Sequence, residues 1–225
     1  QPYKFNDYLV IFNGEIYNYV ELRKDLKKKG YVFETKSDTE VLIKSYVEYG
    51  ENCVDRFNGM WAFAIWDEKK NKLFLSRDRF GEKPLYYYLD STGFYFGSEI
   101  KFINSLISGK LSINNEHLKR LLVYGYKYIY NSKHTYFNEI KELEFASNAT
   151  VDMSLNYNEH SYWTPKIKIN KMSLDDAING SKHYLEESVR LRLRADVPMA
   201  FCLSGGVDSA TLASIASKKF NYDVK

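Results

Sequence analysis

Ser204-Gly205-Gly206-Val207-Asp208-Ser209 gathers the residue types that hold a phosphate group. The stretch follows a short apolar run, Met199 to Leu203, and leads into a helix-like pattern, so it reads as strand, phosphate loop and helix. Two adjacent glycines let the backbone take positive φ and approach a ligand. The unpaired N–H groups and partial positive charge of a helix start attract an oxyanion. A di- or triphosphate is the natural guest. Ser204 and Ser209 offer hydroxyls to phosphate oxygens, and Asp208 offers a carboxylate to a Mg²⁺ that neutralises them. The loop lacks the lysine of G-x-x-x-x-G-K-S/T, so it is not the cradle that transfers a γ-phosphoryl group. An ordinary strand-turn-helix junction, with Ser209 or Asp208 as the helix cap, is the plain alternative.

The rest of the composition bounds the setting. With 225 residues, 44% of them hydrophobic, the chain can bury a real core as one large domain or two modest ones. Lys plus Arg number 32 against 29 Asp plus Glu, a net charge of +3 that is spread along the chain and demands no nucleic acid. Lys27-Lys28-Lys29 falls where a helix should end, and cations suit that end of the dipole. No window approaches the ~18 apolar residues of a membrane span and no signal-peptide pattern opens the chain, so a soluble cytoplasmic protein is expected. Cys53 and Cys202 both stand among apolar neighbours and are expected in the core, as neither a disulfide framework nor a metal cluster. The chain opens on Gln1-Pro2-Tyr3 and closes one helix after the phosphate loop. One strand and one helix do not complete a parallel sheet, so an internal fragment is expected, its last domain continuing beyond Lys225.

Elements that position these residues follow from pattern. Leu9 to Phe12 reads as a strand ending in an Asn13-Gly14 turn signal, and Val20 to Lys29 as a helix with Gly30 as its left-handed cap. Ser37-Asp38-Thr39-Glu40 fits a capping box before a helix that runs to Gly50. Trp61–Asp67, Phe74–Ser76, Leu85–Leu89 and Phe94–Gly97 are closely spaced strands, which implies an antiparallel sheet flanked by helices. Glu99 to Ile107 and Glu116 to Val123 look helical, and Lys141 to Tyr162 alternates as strands do in places. There is no internal repeat. After Trp163-Thr164-Pro165 the chain turns polar, and an apolar stripe from Leu174 to Leu193 marks a helix before the Met199 run. The boundary falls near residues 164 to 172, dividing the chain into residues 1–165 and 166–225.

Four blocks, in order, resemble the glutamine-dependent asparagine synthetases. They are Phe12-Asn13-Gly14-Glu15-Ile16-Tyr17-Asn18 with Ser37-Asp38-Thr39-Glu40, Asn58 to Ala64, Arg77 to Tyr87, and Leu203-Ser204-Gly205-Gly206-Val207-Asp208-Ser209. The resemblance implies an α+β then α/β chain. An N-terminal-nucleophile hydrolase αββα sandwich, truncated at its start, releases ammonia from glutamine. The beginning of an ATP-pyrophosphatase parallel-sheet domain follows, of the adenine nucleotide α-hydrolase-like type, which adenylylates the aspartate side chain before ammonia displaces AMP. It implies ATP bound by Leu203, Ser204, Gly205, Gly206, Asp208 and Ser209, with Mg at Asp208. It implies an oxyanion hole from the Asn13 side-chain amide and the Gly14 N–H, where negative charge develops on the tetrahedral intermediate. Glutamine would be held by Asn13, Gly14, Glu15 and Asp38, a carboxylate suiting its α-amino group. By themselves these residues allow a plainer reading, since Asn-Gly is a common hairpin turn and Asp38 could merely cap its helix. Glutamine, aspartate and ATP are the implied partners, with no nucleic acid and no membrane, and a homodimer is left open.

The family's nucleophile is a cysteine at the mature N-terminus whose own amine is the base, and no cysteine precedes Cys53 here. Truncation is expected rather than loss, and neither Cys53 nor Cys202 is expected to substitute. Glu82, and Ala146-Ser147 in place of a Pro-Gly, depart from the pattern. Two other readings stay open: a relative that amidates another carboxylate, such as a sugar acid of a surface polysaccharide, and a non-catalytic protein that binds ATP or glutamine.

Overall fold

A computed structural model describes residues 2–125, 133–169, 171–195 and 197–224. The chain divides into two compact units, Gln1–Pro165 and Lys166–Lys225. Residue 170 of the expected linker lies outside the described residues.

The first unit is built on two antiparallel sheets. Strands β1 (Tyr3–Phe5), β2 (Tyr8–Ile16), β3 (Gly59–Asp67) and β4 (Lys72–Arg77) pair in that order and continue through β8 (Ser147–Asp152) and β9 (Tyr157–Ser161). The smaller sheet runs β6 (Gly93–Gly97), β5 (Tyr86–Asp90), β7 (Lys141–Glu142). Side chains alternate across each strand, and the faces sort accordingly. Val10, Phe12, Trp61, Phe63 and Ile65 point to one face of the large sheet, and pack with Leu22 and Leu26 of α1 (Tyr19–Lys28) and Val41, Leu42 and Ile43 of α2 (Asp38–Tyr49). Ala62, Ala64, Leu75 and Val151 point to the opposite face, where they meet Leu85, Phe94 and Phe96 around the smaller sheet. The small residues on that side let the two sheets approach. Helix α3 (Ile100–Leu106) packs on β5 and β6. The layers therefore run helix, sheet, sheet, helix, the expected αββα order.

Helix ends follow their residues. Gly30 takes φ +94, and the N–H groups of Gly30 and Tyr31 return to the carbonyls of Lys27 and Leu26, closing α1 as a Schellman cap. Ser37 caps α2 by accepting from the Thr39 N–H. The other half of the expected capping box is absent, because Glu40 turns to partners described below. Asn114 caps α4 (Asn115–Tyr124) through the His117 N–H.

Three sequence expectations change here. Asn13-Gly14 is not a turn: β2 continues through it to Ile16, paired residue for residue with β3 from Tyr8↔Asp67 to Ile16↔Gly59. A long register held by the nine-residue β3 overrides the local turn preference. In the second unit, α5 (Leu174–Arg192) and α6 (Val207–Phe220) form as expected, but Met199–Leu203 takes no strand among the described residues. A strand exists through its hydrogen-bonded neighbour, and no described strand lies beside this run. Cys202 is consequently exposed, not a core residue, whereas Cys53 is buried as expected.

Candidate functional site

The C-terminal end of β2 and the start of α2 carry Asn13, Gly14, Glu15 and Asp38. Asn13 pairs with Ala62, so it shares the inter-sheet face of the large sheet. Its Nδ2 donates to Ser98 Oγ at 3.0 Å, and Ser98 comes from the residue that follows β6 of the other sheet. This hydrogen bond spans the two sheets. A cavity of about 160 Å³ lies beside it, apolar along Ile11, Phe12, Phe63, Leu85 and Phe96 and polar where Asn13 and Ser98 meet.

Gly14 is dictated by contact. A Cβ there would stand 2.1 Å from the Met60 carbonyl oxygen and 2.7 Å from the Trp61 Cα, at φ +153. Gly59 mirrors it, since a Cβ there would stand 2.1 Å from the Glu15 oxygen. The direction of the Gly14 N–H follows from its partner Trp61. Trp61 uses its own N–H and C=O on Asp78, giving to Oδ2 at 3.2 Å and accepting from the Asp78 N–H at 2.9 Å, on the β4 side. Gly14 and Trp61 therefore form a non-hydrogen-bonded pair, and the Gly14 N–H points to the outer edge of β2. Strand β1 covers that edge only as far as Val10.

Asp38 lies along this same edge. Its Oδ2 accepts from the Ile16 N–H at 3.0 Å, two residues beyond Gly14 and therefore on the same side of the strand. Burial raises the Asp38 carboxyl above its ordinary value of 3.8, against the lowering pull of the Ile16 and Thr39 N–H groups and the Ser37 hydroxyl. A partly desolvated carboxylate at a helix start, beside an open N–H edge, is matched to a cationic group. Glu15 is partly buried, on the same strand face as Asn13 and paired with Met60.

A second ring of buried polar groups fixes these elements. Glu40 accepts from the Glu34 N–H at 2.9 Å, the Thr35 N–H and hydroxyl at 2.7 Å, and Lys44 Nζ at 2.5 Å. Lys44 also donates to the Val32 carbonyl and lies over the rings of Phe5 and Phe33. Burial would raise the Glu40 carboxyl, but Lys44 and the Thr35 and Glu34 donors outweigh it and hold it at about 2. Asp78, fully buried, accepts from the N–H groups of Trp61, Phe80, Glu82 and Lys83 and so folds the loop after β4. Arg77 donates to the carbonyls of Lys83, Leu143 and Gly81 and pairs with Glu142 at 2.8 Å. The Arg77-to-Tyr87 block is thus a brace between the sheets.

In the second unit the phosphate-loop residues Leu203, Ser204, Gly205, Gly206, Asp208 and Ser209 gather at the start of α6. Gly205 alone takes positive φ, +80, with nothing within 4 Å of where a Cβ would stand; Gly206 is the N-cap at φ −82. No side chain caps this helix. The Ser204 and Ser209 hydroxyls lie 3.2 Å apart, and the Gly206 N–H reaches Ser204 Oγ at 3.4 Å. Exposed N–H groups, two hydroxyls and a bare glycine turn fit an anion. Among the described residues no group of three or more His, Cys, Asp and Glu could hold a metal by itself. Asp208 is a single carboxylate, the kind that binds Mg²⁺ jointly with phosphates.

Cys53 does not fit the part of a nucleophile toward Asn13. Burial pushes the Cys53 thiol far up, away from a reactive thiolate. Ser98 and Gly59 were not legible as site residues: Ser98 reaches Asn13 across 85 positions of sequence, and no local pattern marks such a contact. No described helix is long and apolar enough to cross a membrane.

Residues 1–163 match the family described as glutamine amidotransferase domain, and residues 181–225 match the family described as asparagine synthase. The glutamine-hydrolyzing asparagine synthetase 3 of Bacillus subtilis (strain 168) is 39% identical over 223 residues, covering 99% of this chain and 36% of that protein. Asparagine synthetase 1 of the same organism is 35% identical over 227 residues, covering 100% of this chain and 35% of that protein. An amidase, chry2, of Gibberella zeae is 29% identical over 220 residues, covering 96% of this chain and 31% of that protein. The chain spans about a third of the length of these curated relatives. Among solved structures, the glutamine phosphoribosylpyrophosphate amidotransferase from B. subtilis aligns at TM-score 0.49 and 16% identity, over 97% of this chain and 47% of that one.

Proposed function

The chain belongs to the glutamine amidotransferase domain family, and from that premise we propose that it is part of a glutamine-hydrolysing asparagine synthetase. Residues 1–165 release ammonia from glutamine. Residues 166–225 begin the domain that activates the aspartate side-chain carboxyl with ATP as an acyl-adenylate, releasing pyrophosphate; ammonia then attacks the acyl carbon and AMP leaves.

The carrying observation is the shared edge of β2, where the Gly14 N–H direction and the Asp38 carboxylate meet beside the Asn13 amide. A glutamine bound there has its α-ammonium at Asp38 and Glu15. Its side-chain carbonyl faces the Asn13 Nδ2–H and Gly14 N–H, the donors that an oxyanion needs in advance. The proposal needs a nucleophile that these 225 residues do not supply. ATP would be held by its phosphates on Ser204, Gly205, Gly206 and Ser209, next to Leu203, and Asp208 would hold a Mg²⁺ that neutralises phosphate charge. The same reading carries a cytoplasmic location and small-molecule substrates without nucleic acid, and leaves a homodimer open.

The test is Asn13→Ala in the complete protein. Glutamine-dependent synthesis should fall by roughly 10² to 10³, while synthesis from added ammonia persists. A parallel fall of both makes Asn13 a folding residue and removes the oxyanion assignment.

A further inference from the structure

Asn13 is useful as an oxyanion donor only if one of its two amide hydrogens is held where negative charge develops, and an asparagine on an exposed strand position has a freely turning carboxamide. Here the carboxamide is not left to turn. Nδ2 gives one hydrogen to Ser98 Oγ at 3.0 Å, which fixes the amide plane and aims its second hydrogen elsewhere. Ser98 is a rigid anchor for this. It follows directly on β6 and precedes Glu99, the N-cap of α3, so its backbone is fixed by a strand on one side and a helix on the other. Asn13 sits on the other sheet, in unbroken pairing with Ala62. The geometry of the oxyanion donor is thereby set by the spacing of the two sheets. That spacing is held by the small residues Ala62 and Ala64 and by the Arg77 brace to Leu143 and Glu142.

Resting on the oxyanion reading of Asn13, we infer that Ser98 is a positioning residue for glutamine hydrolysis: its hydroxyl accepts from the Asn13 carboxamide and holds the other amide hydrogen toward the tetrahedral intermediate. Ser98 does not touch the reacting atoms, so its loss weakens transition-state stabilisation without changing ground-state binding.

A double-mutant cycle in the complete protein tests this, with glutamine hydrolysis followed at saturating and limiting substrate. Ser98→Ala should lower kcat about 5- to 30-fold, the range for one lost hydrogen bond, with KM nearly unchanged. Ser98→Thr keeps the hydroxyl and should recover most of the rate. In the Asn13→Ala background, Ser98→Ala should cost nothing further, because the group it positions is gone. Ammonia-dependent synthesis should be unchanged throughout, and an unchanged denaturation midpoint of the first unit reports that the variants fold. Equal losses from Ser98→Ala in the presence and absence of the Asn13 amide would overturn the inference, as would an unchanged kcat in Ser98→Ala while Asn13→Ala is crippled. An Asn13→Ala enzyme with full hydrolysis would overturn the oxyanion reading itself.

Discussion

Two residues show how contact and backbone conformation, in opposite senses, decide identity. At Gly14 the backbone of Met60 occupies the place of a Cβ at 2.1 Å, and backbone cannot swing aside as a side chain does. Gly14→Ala should therefore destabilise the first unit by about 3 kcal/mol or more, read as a lower denaturation midpoint, and should abolish glutamine use even where the protein still folds. Ala146 is the reverse case, a non-glycine at φ +52 in the left-handed region, where its N–H serves the Asp78 carbonyl. Ala146→Gly should raise stability by up to about 1 kcal/mol, part of the relief being offset by the greater freedom of glycine in the unfolded chain. An unchanged or lower midpoint would show that the buried methyl outweighs the strain. The Asp38 carboxyl supplies a pH signature. Since burial raises it, the carboxylate is protonated at a higher pH than an exposed aspartate, and the KM for glutamine should rise as pH falls through that raised value. Asp38→Asn should weaken binding and flatten this dependence. A KM flat in pH for the parent protein would contradict the role given to Asp38.

At the scale of elements, the buried Glu40–Lys44 pair at the start of α2 carries a different pH dependence. Glu40 titrates at about 2 in the folded chain against an ordinary 4.5, so the folded state binds fewer protons between those values. Its stabilisation is complete above about pH 4.5 and is lost as pH falls through 2, a difference of about 3 kcal/mol. Urea denaturation midpoints should fall over this window, and Glu40→Gln should be less stable at pH 7 with a shallower acid decline. A steep decline retained in Glu40→Gln would assign it to other carboxylates. Most of these elements were legible in the sequence, because the nearly continuous apolar run of Trp61–Asp67 and the caps at Gly30 and Ser37 are local signals. What escaped is nonlocal. Asn13-Gly14 has the chemistry of a turn, and only pairing with β3 shows it to be mid-strand. Glu40 fits a capping box, yet its strongest partners are Lys44 and the loop before α2. The Ser98 contact required knowing that two sheets face each other.

At the scale of the whole molecule the proposed function divides two chemistries between two units, and each should fail separately. Gly205→Val places a branched side chain at φ +80 and should abolish ATP-dependent synthesis while glutamine hydrolysis survives; loss of both would contradict the division of labour. The turn at Gly205 and the helix after it were legible from their residues, whereas Met199–Leu203 forms no strand, an apolar run being only half of what makes one. The most direct test follows one nitrogen atom through the complete protein. Given aspartate, ATP and glutamine labelled with ¹⁵N at its side-chain amide, the account predicts asparagine carrying the label in its own side-chain amide, with AMP and pyrophosphate formed in equal amounts. Labelled ammonia released without asparagine, or ADP in place of AMP, would contradict it.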